Sequence, residues 1–241
     1  MNIDLNTILN DETNIANELI GLDGLNGEFL GELAALDAVN RARVLKKLAR
    51  APHKSRGSRA ELEKFAGQLP NHVKRQLFNK GLRLADHMIY SIKPANQRTI
   101  KMFEPQDDKE TGMRNVANGK LEKNQVLLVS GVTILAGTAG GPLDDDAMVA
   151  NYGSIGAFPA IANGEFSLKA NKVQIIPEGT ANGVFVTDNH NGIQLGFWKL
   201  DNPRLIRDEE SIEFTIELGT VTGIPANTFI KVGLWGTATT P

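Results

Sequence analysis

Residues 211–241 read SIEFTIELGTVTGIPANTFIKVGLWGTATTP, and this stretch decides the fold class. Its first part, SIEFTIEL (211–218), alternates apolar and polar residues, which is typical of a strand with one buried face. Its last part, TFIKVGLWG (228–236), has a similar strand-like composition and follows a turn signal at Pro225. The two runs predict strands with no helix between them, which favours antiparallel sheets over an alternating α/β fold.

Four further strand-like runs lie upstream of this stretch and are separated by turn residues. They are QVLLVSGVTIL (125–135), FSLKANKVQII (166–176), GVFVTD (183–188) and GIQLGFWKL (192–200). At least six strands at short intervals predict an antiparallel β-sandwich or barrel for residues 94–241. A doubly wound nucleotide-binding fold is disfavoured, because it needs helices between its strands.

Residues 1–93 are predicted to form a helical arm. A first helix within 27–50 is rich in Ala, Leu, Glu, Lys and Arg and ends before Pro52. Ser58 and Glu61 have the spacing of a capping box, which predicts a short second helix. Apolar residues then recur at spacings of three and four and predict a third helix to about Ile92; they are Val73, Leu77, Gly81, Leu84 and Met88. The predicted fold class is α+β, a helical N-terminal arm followed by an antiparallel β-sandwich.

The arm divides into two blocks of opposite charge, although the whole chain has a formal net charge of only −2. Residues 1–40 hold eight acids and no Lys or Arg, whereas residues 41–83 hold thirteen bases and two acids. Folded surfaces usually intersperse their charges, so blocks of one sign indicate a partner or a flexible arm. The two blocks could also neutralise each other between neighbouring copies of the chain.

The basic block 41–59, RARVLKKLARAPHKSRGSR, contains no acid and has three possible roles. It could be a solvated helix face, a membrane-surface helix whose apolar side is only Val44, Leu45 and Leu48, or a phosphate-binding surface. We favour phosphate binding, since a merely solvated face normally carries acids as well. No aromatic residue interrupts the block, so base stacking by it is not expected. The candidate nucleic-acid-binding residues are Arg41, Arg43, Lys46, Lys47, Arg50, Lys54, Arg56 and Arg59.

Two polar stretches contain residue types that catalysis or metal binding uses. Residues 144–146 are three aspartates that could bind a divalent cation, but consecutive acids are more typical of a helix N-terminus. Asp188 and His190 could form a hydrolytic pair or half of a metal site, but Asn191-Gly192 marks a hairpin turn where such residues are common. We therefore expect no catalytic residue, no metal site and no cofactor, and we do not expect an enzyme.

Composition excludes cysteine chemistry and argues against a membrane-spanning segment. The chain has no cysteine, which rules out disulfides, thiol chemistry and cysteine-ligated metals. Its apolar runs are only a handful of residues long, so no membrane span is expected.

A charge-blocked helical arm before a cysteine-free β domain resembles the layout of single jelly-roll capsid proteins of viruses and bacteriophages. The residues that carry this resemblance are the basic block 41–59 and the strand series that ends in 211–241. The resemblance implies a jelly-roll-like sandwich that tiles a shell and a basic segment that faces nucleic acid or the inner lattice. It also implies a homo-oligomer, possible contacts with other virion proteins, and a place in the virion after assembly in the host cytoplasm. A cytoplasmic location is the alternative.

Two other functions remain open from the sequence. One is a carbohydrate- or receptor-binding β-sandwich with the helices as an oligomerisation or attachment stalk. Its contact candidates are Trp198, Trp235 and the turn 188–191, although sandwich cores more often use tryptophan for packing. The other is a metal-assisted hydrolase that uses residues 144–146 and His190.

Overall fold

The structure, a computed structural model, describes Leu62, residues 65–186 and residues 194–241. Within these residues two antiparallel sheets form a β-sandwich, which confirms the predicted sandwich. The first predicted helix, the predicted capping box and the turn around His190 lie outside the described residues.

The elements of the described residues follow one another in this order. The strands are β1 (Arg83–Pro94), β2 (Thr99–Lys101), β3 (Leu127–Thr138), β4 (Gly153–Ser154), β5 (Glu165–Ala170), β6 (Val173–Ala181), β7 (Phe197–Ile206), β8 (Ile212–Glu217) and β9 (Thr228–Thr240). The α-helices are α1 (Asn71–Phe78), α2 (Asp144–Met148) and α3 (Pro159–Ala162). Single turns of 3-10 helix occur at Ala66–Gln68, Ile155–Ala157 and Asn182–Phe185.

The last strand, β9, lies in the middle of the first sheet. It pairs with β1 from Phe229 to Thr240 on one side and with β3 on the other. The other edge of β3 pairs first with β7 and then, further along β3, with the two-residue strand β4. The second sheet has the order β2-β8-β5-β6. All of these pairings are antiparallel, as the sequence predicted.

The main core lies between the two sheets, because the two-residue period of each strand sends alternate side chains inward. On β9 the inward residues are Ile230, Val232 and Leu234, which are fully buried. From the second sheet, Phe166 stacks on Phe214 with a ring-centroid distance of 5.7 Å. Burial of these large apolar side chains is the main contribution to the stability of the sandwich.

The outer faces of the two sheets differ. The first sheet is covered on its outside at both ends by further apolar clusters. One contains Leu62, Leu69, Val73, Leu82, Val126 and Leu128, and the other contains Ile92, Met113, Ala139, Ala147 and Phe229. The outward residues of β8 are instead polar: Glu213, Thr215 and Glu217. The described helical segment before β1 therefore packs on the outside of the first sheet.

The predicted continuation of the third helix to about Ile92 is wrong. The helix ends at Phe78, and residues 83–94 form β1 within the first sheet. The Gly81 N–H donates to the Gln76 carbonyl at 2.8 Å, and the Lys80 N–H donates to the Leu77 carbonyl at 3.2 Å. These two bonds, with Lys80 at a φ of 57°, form the Schellman motif that commonly ends helices.

Two predicted strands also differ from the structure. The run 166–176 is a hairpin, because Asn171 and Lys172 both have positive φ, 48° and 66°, and form a tight turn between β5 and β6. The run 183–188 is not a strand where the structure describes it. Residues 182–185 form a 3-10 turn, in which the Asn182 side chain donates to the Ile161 carbonyl at 2.8 Å.

Candidate functional site

The eight candidate nucleic-acid-binding residues of block 41–59 lie outside the described residues, so their role stays a prediction. The structure does describe the C-terminal end of the basic region 41–83. This end forms α1 and the turn that follows it. The part of the candidate nucleic-acid interface that the structure describes is therefore α1 and this turn.

An exposed basic surface surrounds the end of α1, and we call it the α1 surface. Its members are the half-buried Lys74 and the exposed Arg75, Phe78, Lys80 and Arg83. No acid occurs in the sequence between Lys64 and Ala85. Among the described residues, none of its four cationic side chains forms an ion pair, although Lys74 Nζ donates to the Gly67 carbonyl at 2.7 Å. Within the described residues no ion pair neutralises these cations, although the exposed Asp86 follows Arg83 by three residues.

The helix is held on the sandwich from two sides. Val73 is fully buried in the apolar cluster on the outside of the first sheet, and Leu77 packs against the same cluster. His72 Nε2 lies 2.6 Å from Asp208 Oδ2 in the β7–β8 connection. The same carboxylate oxygen accepts the Asn124 N–H at 2.9 Å. These contacts give the α1 surface a fixed position relative to the sheets.

The two tryptophans lie on opposite faces of the first sheet. Trp198 points into the sandwich, where its ring meets Phe166 and Phe185 edge to face at 6.0 Å and 6.2 Å. This contact confirms core packing for Trp198. Trp235 lies on the outer face, half-buried, and its Nε1 donates to Thr133 Oγ1 at 2.6 Å. The two rings therefore do not form one contact surface.

The aspartates 144–146 form the first turn of α2, which confirms the interpretation as a helix N-terminus. Asp146 accepts the Leu143 N–H at 3.2 Å, and Asp144 Oδ2 lies 3.8 Å from Arg114 Nη2. Across the described ranges, no group of three or more His, Asp or Glu is placed to hold a metal ion. Asp188 and His190 fall in the gap between the described ranges.

A buried ion-pair network, which sequence reasoning missed, holds the segment after β2. Asp107 is almost fully buried, and its Oδ1 accepts from Lys93 Nζ at 2.6 Å while Arg114 Nη1 lies 3.7 Å away. Glu104 adds a second carboxylate to Lys93 at 3.0 Å. The network fixes the segment that covers the free edge of β1. Its members are dispersed in the sequence, so no motif could have indicated it.

A polar cleft of about 390 Å³ opens at one end of the sandwich, and sequence reasoning missed it too. Its lining includes His87, Lys109, Glu122, Lys123 and Asn124. Burial, and then the positive charge of Lys109, lower the pKa of His87 below its usual value, which favours the neutral imidazole at neutral pH. Lys109 Nζ lies 3.7 Å from Glu122 Oε1 across the rim.

The helices of the described chain are too short and too polar to cross a membrane. No family model of known proteins matches the chain, and no curated protein is significantly similar to it in sequence.

Proposed function

We propose that the protein is a self-assembling structural protein, a capsid subunit of a virus or bacteriophage. Its sandwich would make the contacts between copies, and its basic segment would face nucleic acid or the inner lattice. The main support for this proposal is the order in which the strands pair.

Apart from the two-residue β4, the strands pair from the outside of the sequence inward. β1 pairs with β9, β2 with β8, β3 with β7, and β5 with β6. A long antiparallel ribbon that is folded in half and wrapped into two sheets produces this set of pairs. Such wrapping describes the jelly roll, the double-sheet architecture of viral capsid and lectin domains. The pairing order therefore supports the jelly-roll-like sandwich that the sequence resemblance implies.

The same fold can serve many functions, so the proposal also needs surfaces suited to contacts between copies. Two large apolar side chains flank α2 and are mostly exposed, Leu143 at 66% and Val149 at 82%. Val173 at the start of β6 is 68% exposed. Exposed apolar patches are typical of interaction sites. Leu143 and Val149 lie at the two ends of α2, and their exposure supports a lateral contact at this end of the sandwich.

Charge supports the nucleic-acid part of the proposal. The α1 surface continues the one-sided charge of block 41–59 into the described chain, and within that chain it has no neutralising partner. If the eight bases of the block each contact a phosphate, the log of the affinity should fall with the log of the salt concentration with a slope of about −7. The carbohydrate-binding alternative loses support, because Trp198 lies in the core.

Electron microscopy and light scattering of the purified full chain, over a range of salt and protein concentrations, test the assembly. We expect closed shells or regular oligomers. Val149→Asp should weaken assembly because it places a charge in the apolar contact. Thr215→Asp, on the polar outer face of β8, serves as the control and should have no effect. A protein that stays strictly monomeric under every condition refutes the proposal.

Nucleic-acid binding is tested separately, by titrating labelled DNA or RNA with the full chain at several salt concentrations. A variant with Gln at all eight candidate positions of block 41–59 should lose affinity and most of the salt dependence. Lys101→Gln with Lys169→Gln, on the second sheet, is the matched control and should behave like the wild type. Equal affinity in the eight-position variant and the wild type would remove nucleic acid as the partner of the block.

A further inference from the structure

Phe78 is the feature of the α1 surface that charge does not explain. It is the last residue of α1 and is 81% exposed, whereas a helix on a folded domain normally turns its large apolar residues toward the core. The buried side of α1 is already occupied by Val73 and Leu77. Phe78 follows Leu77 by about 100° around the helix axis and so points away from the sheet.

The backbone around Phe78 is well fixed. The Schellman bonds from Lys80 and Gly81 close the helix directly after it, and Asn79 N–H donates to the Arg75 carbonyl at 2.9 Å. The Leu82 side chain, a few residues later, is buried in the apolar cluster on the first sheet. The chain therefore presents an aromatic ring to solvent from a rigid position.

The four cations of the α1 surface lie close to Phe78 in the sequence. Lys74 and Arg75 precede Phe78 by four and three residues, and residues at these spacings are neighbours on a helix surface. Lys80 follows in the turn and Arg83 is the first residue of β1, and both are exposed. Asp208, the carboxylate that contacts α1 from the β7–β8 connection, has described contacts with His72 and Asn124. An exposed ring among cations suits a ligand that offers both a flat π-face and negative charge.

We propose that the α1 surface binds single-stranded nucleic acid, with an unpaired base stacked on Phe78 and the flanking phosphates on its four cations. This inference rests on the nucleic-acid part of the proposed function and specifies the ligand. Bases in a duplex are already stacked on one another, so the ring can reach only an unpaired base. Base–aromatic stacking tolerates any sequence, because every base has a π-face.

Two other occupants fit the observations less well. A membrane-surface helix needs a broad apolar face, but Phe78 is the one large apolar side chain that α1 exposes, since Val73 is buried and Leu77 is half-buried. A symmetric contact between two copies would bring four cations against four cations, which is repulsive. Single-stranded nucleic acid uses both the ring and the charge.

Fluorescence anisotropy with the full chain tests the proposal, using a labelled oligothymidylate and a labelled duplex of equal length. Phe78→Ala should weaken binding to the single strand by about five- to a hundredfold and leave duplex binding unchanged. Phe78→Trp should keep the single-strand affinity, and the single strand should quench the new tryptophan. Val186→Ala is the control, since Val186 is also an exposed apolar residue and lies outside both the α1 surface and the proposed lateral contact, and it should bind both probes like the wild type.

A second variant tests the contribution of the positive charges to binding. Lys80→Gln with Arg83→Gln should reduce the salt slope by about 1.4 for the single strand, because each of the two phosphate contacts contributes about −0.7. Light scattering and sedimentation with phosphatidylserine vesicles are run on the same Phe78→Ala sample. If self-association or vesicle binding is lost while single-strand affinity is kept, the surface serves another copy or a membrane, and the inference is overturned.

The outcomes also separate this inference from the proposed function. If Phe78→Ala leaves single-strand affinity unchanged, or weakens both probes equally, base stacking is overturned while binding by block 41–59 still stands. Failure of the wild type to bind either probe overturns the inference together with the nucleic-acid part of the proposed function. Shells seen by microscopy would in that case still support the structural role.

Discussion

Replacing Asp107 by alanine tests whether the buried ion pairs stabilise the sandwich or make no net contribution to its stability. Asp107 Oδ1 accepts from Lys93 Nζ at 2.6 Å, and its Oδ2 accepts the Glu104 N–H at 3.0 Å. The Lys93 and Arg114 side chains are only 16% and 13% exposed. The substitution therefore removes an anion from between two largely buried cations.

Removal of one partner from a buried ion pair costs about 3–5 kcal/mol, because the remaining charge is left without compensation. Among the described residues, Lys93 keeps Glu104 at 3.0 Å and Arg114 keeps Asp144 at 3.8 Å. The remaining contacts and the partial exposure place the expected loss at the lower end, about 3 kcal/mol. This is a large part of the roughly 5–15 kcal/mol by which domains are usually stable.

Urea unfolding of the full chain at neutral pH, followed by tryptophan fluorescence, measures the loss. Lys93→Met combined with Asp107→Leu should recover much of it, since the double variant removes the lysine left without its main partner. Glu178→Gln is the control: it breaks the surface pair with Lys169 and should give no resolvable change. If Asp107→Ala behaves like Glu178→Gln, or if the double variant is no better than the single one, the reasoning is refuted.

Three further predictions concern packing, pH and a turn. Trp198→Ala should lower the free energy of unfolding by about 3 kcal/mol in urea titrations, and Trp235→Ala by less, because only Trp198 packs in the sandwich core. The lowered pKa of His87 means that the unfolded chain binds more protons than the folded one below about pH 6.5, so stability should fall as the pH drops past that value. His87→Gln should flatten this fall, and a steeper fall would contradict the assignment. Lys172→Gly should raise the free energy of unfolding by about 0.5–1 kcal/mol, because glycine takes the positive φ of the β5–β6 turn without strain. A rise in the melting temperature would show this gain.

The sequence predicted best those strands whose composition and burial agree. β3, β8 and β9 lie within or just beyond the predicted runs, because each combines β-branched residues with at least one buried face. The error at β1 has a definite physical cause. Leu84, Met88 and Ile92 lie on one face of the strand, at a spacing of four residues that also fits a helix.

The ambiguity at β1 arises because both faces of the first sheet are covered. Ile89 packs between the sheets, whereas Leu84 and Ile92 pack under the outer clusters. Apolar residues therefore occur on both faces, and the clean alternation of a half-buried strand is lost. A covering layer on the outside of a sheet is a tertiary feature, and periodicity within one strand does not encode it.

The candidate sites were predictable only where they follow from local sequence. The helix N-terminus at residues 144–146 and the core position of Trp198 depend on local chemistry and composition, and both predictions are confirmed. The Lys93–Asp107–Arg114 network and the cleft at His87 join segments that are distant in the chain. The exposure of Phe78 depends on where α1 ends, which the predicted long helix concealed.

The sheet edges restrict how copies of this chain can associate. A free strand edge is a template for pairing with another chain, and proteins protect such edges with proline, charge, short strands or a covering segment. The edge of β1 is covered where the Asn115 side chain accepts the Tyr90 N–H at 2.8 Å and donates to the Met88 carbonyl at 2.8 Å. Its uncovered start carries the exposed charges of Arg83 and Asp86.

The other three edges are protected as well. β2 has only three residues, β7 contains Pro203, and β6 contains Pro177 and has irregular pairing with β5. Strand addition between copies is therefore unfavourable at every edge of the described sheets. The association that we propose would instead rely on side chains at the ends of the sandwich, as at Val149. A charged substitution there should disrupt assembly, whereas changes along the strand edges should affect folding alone.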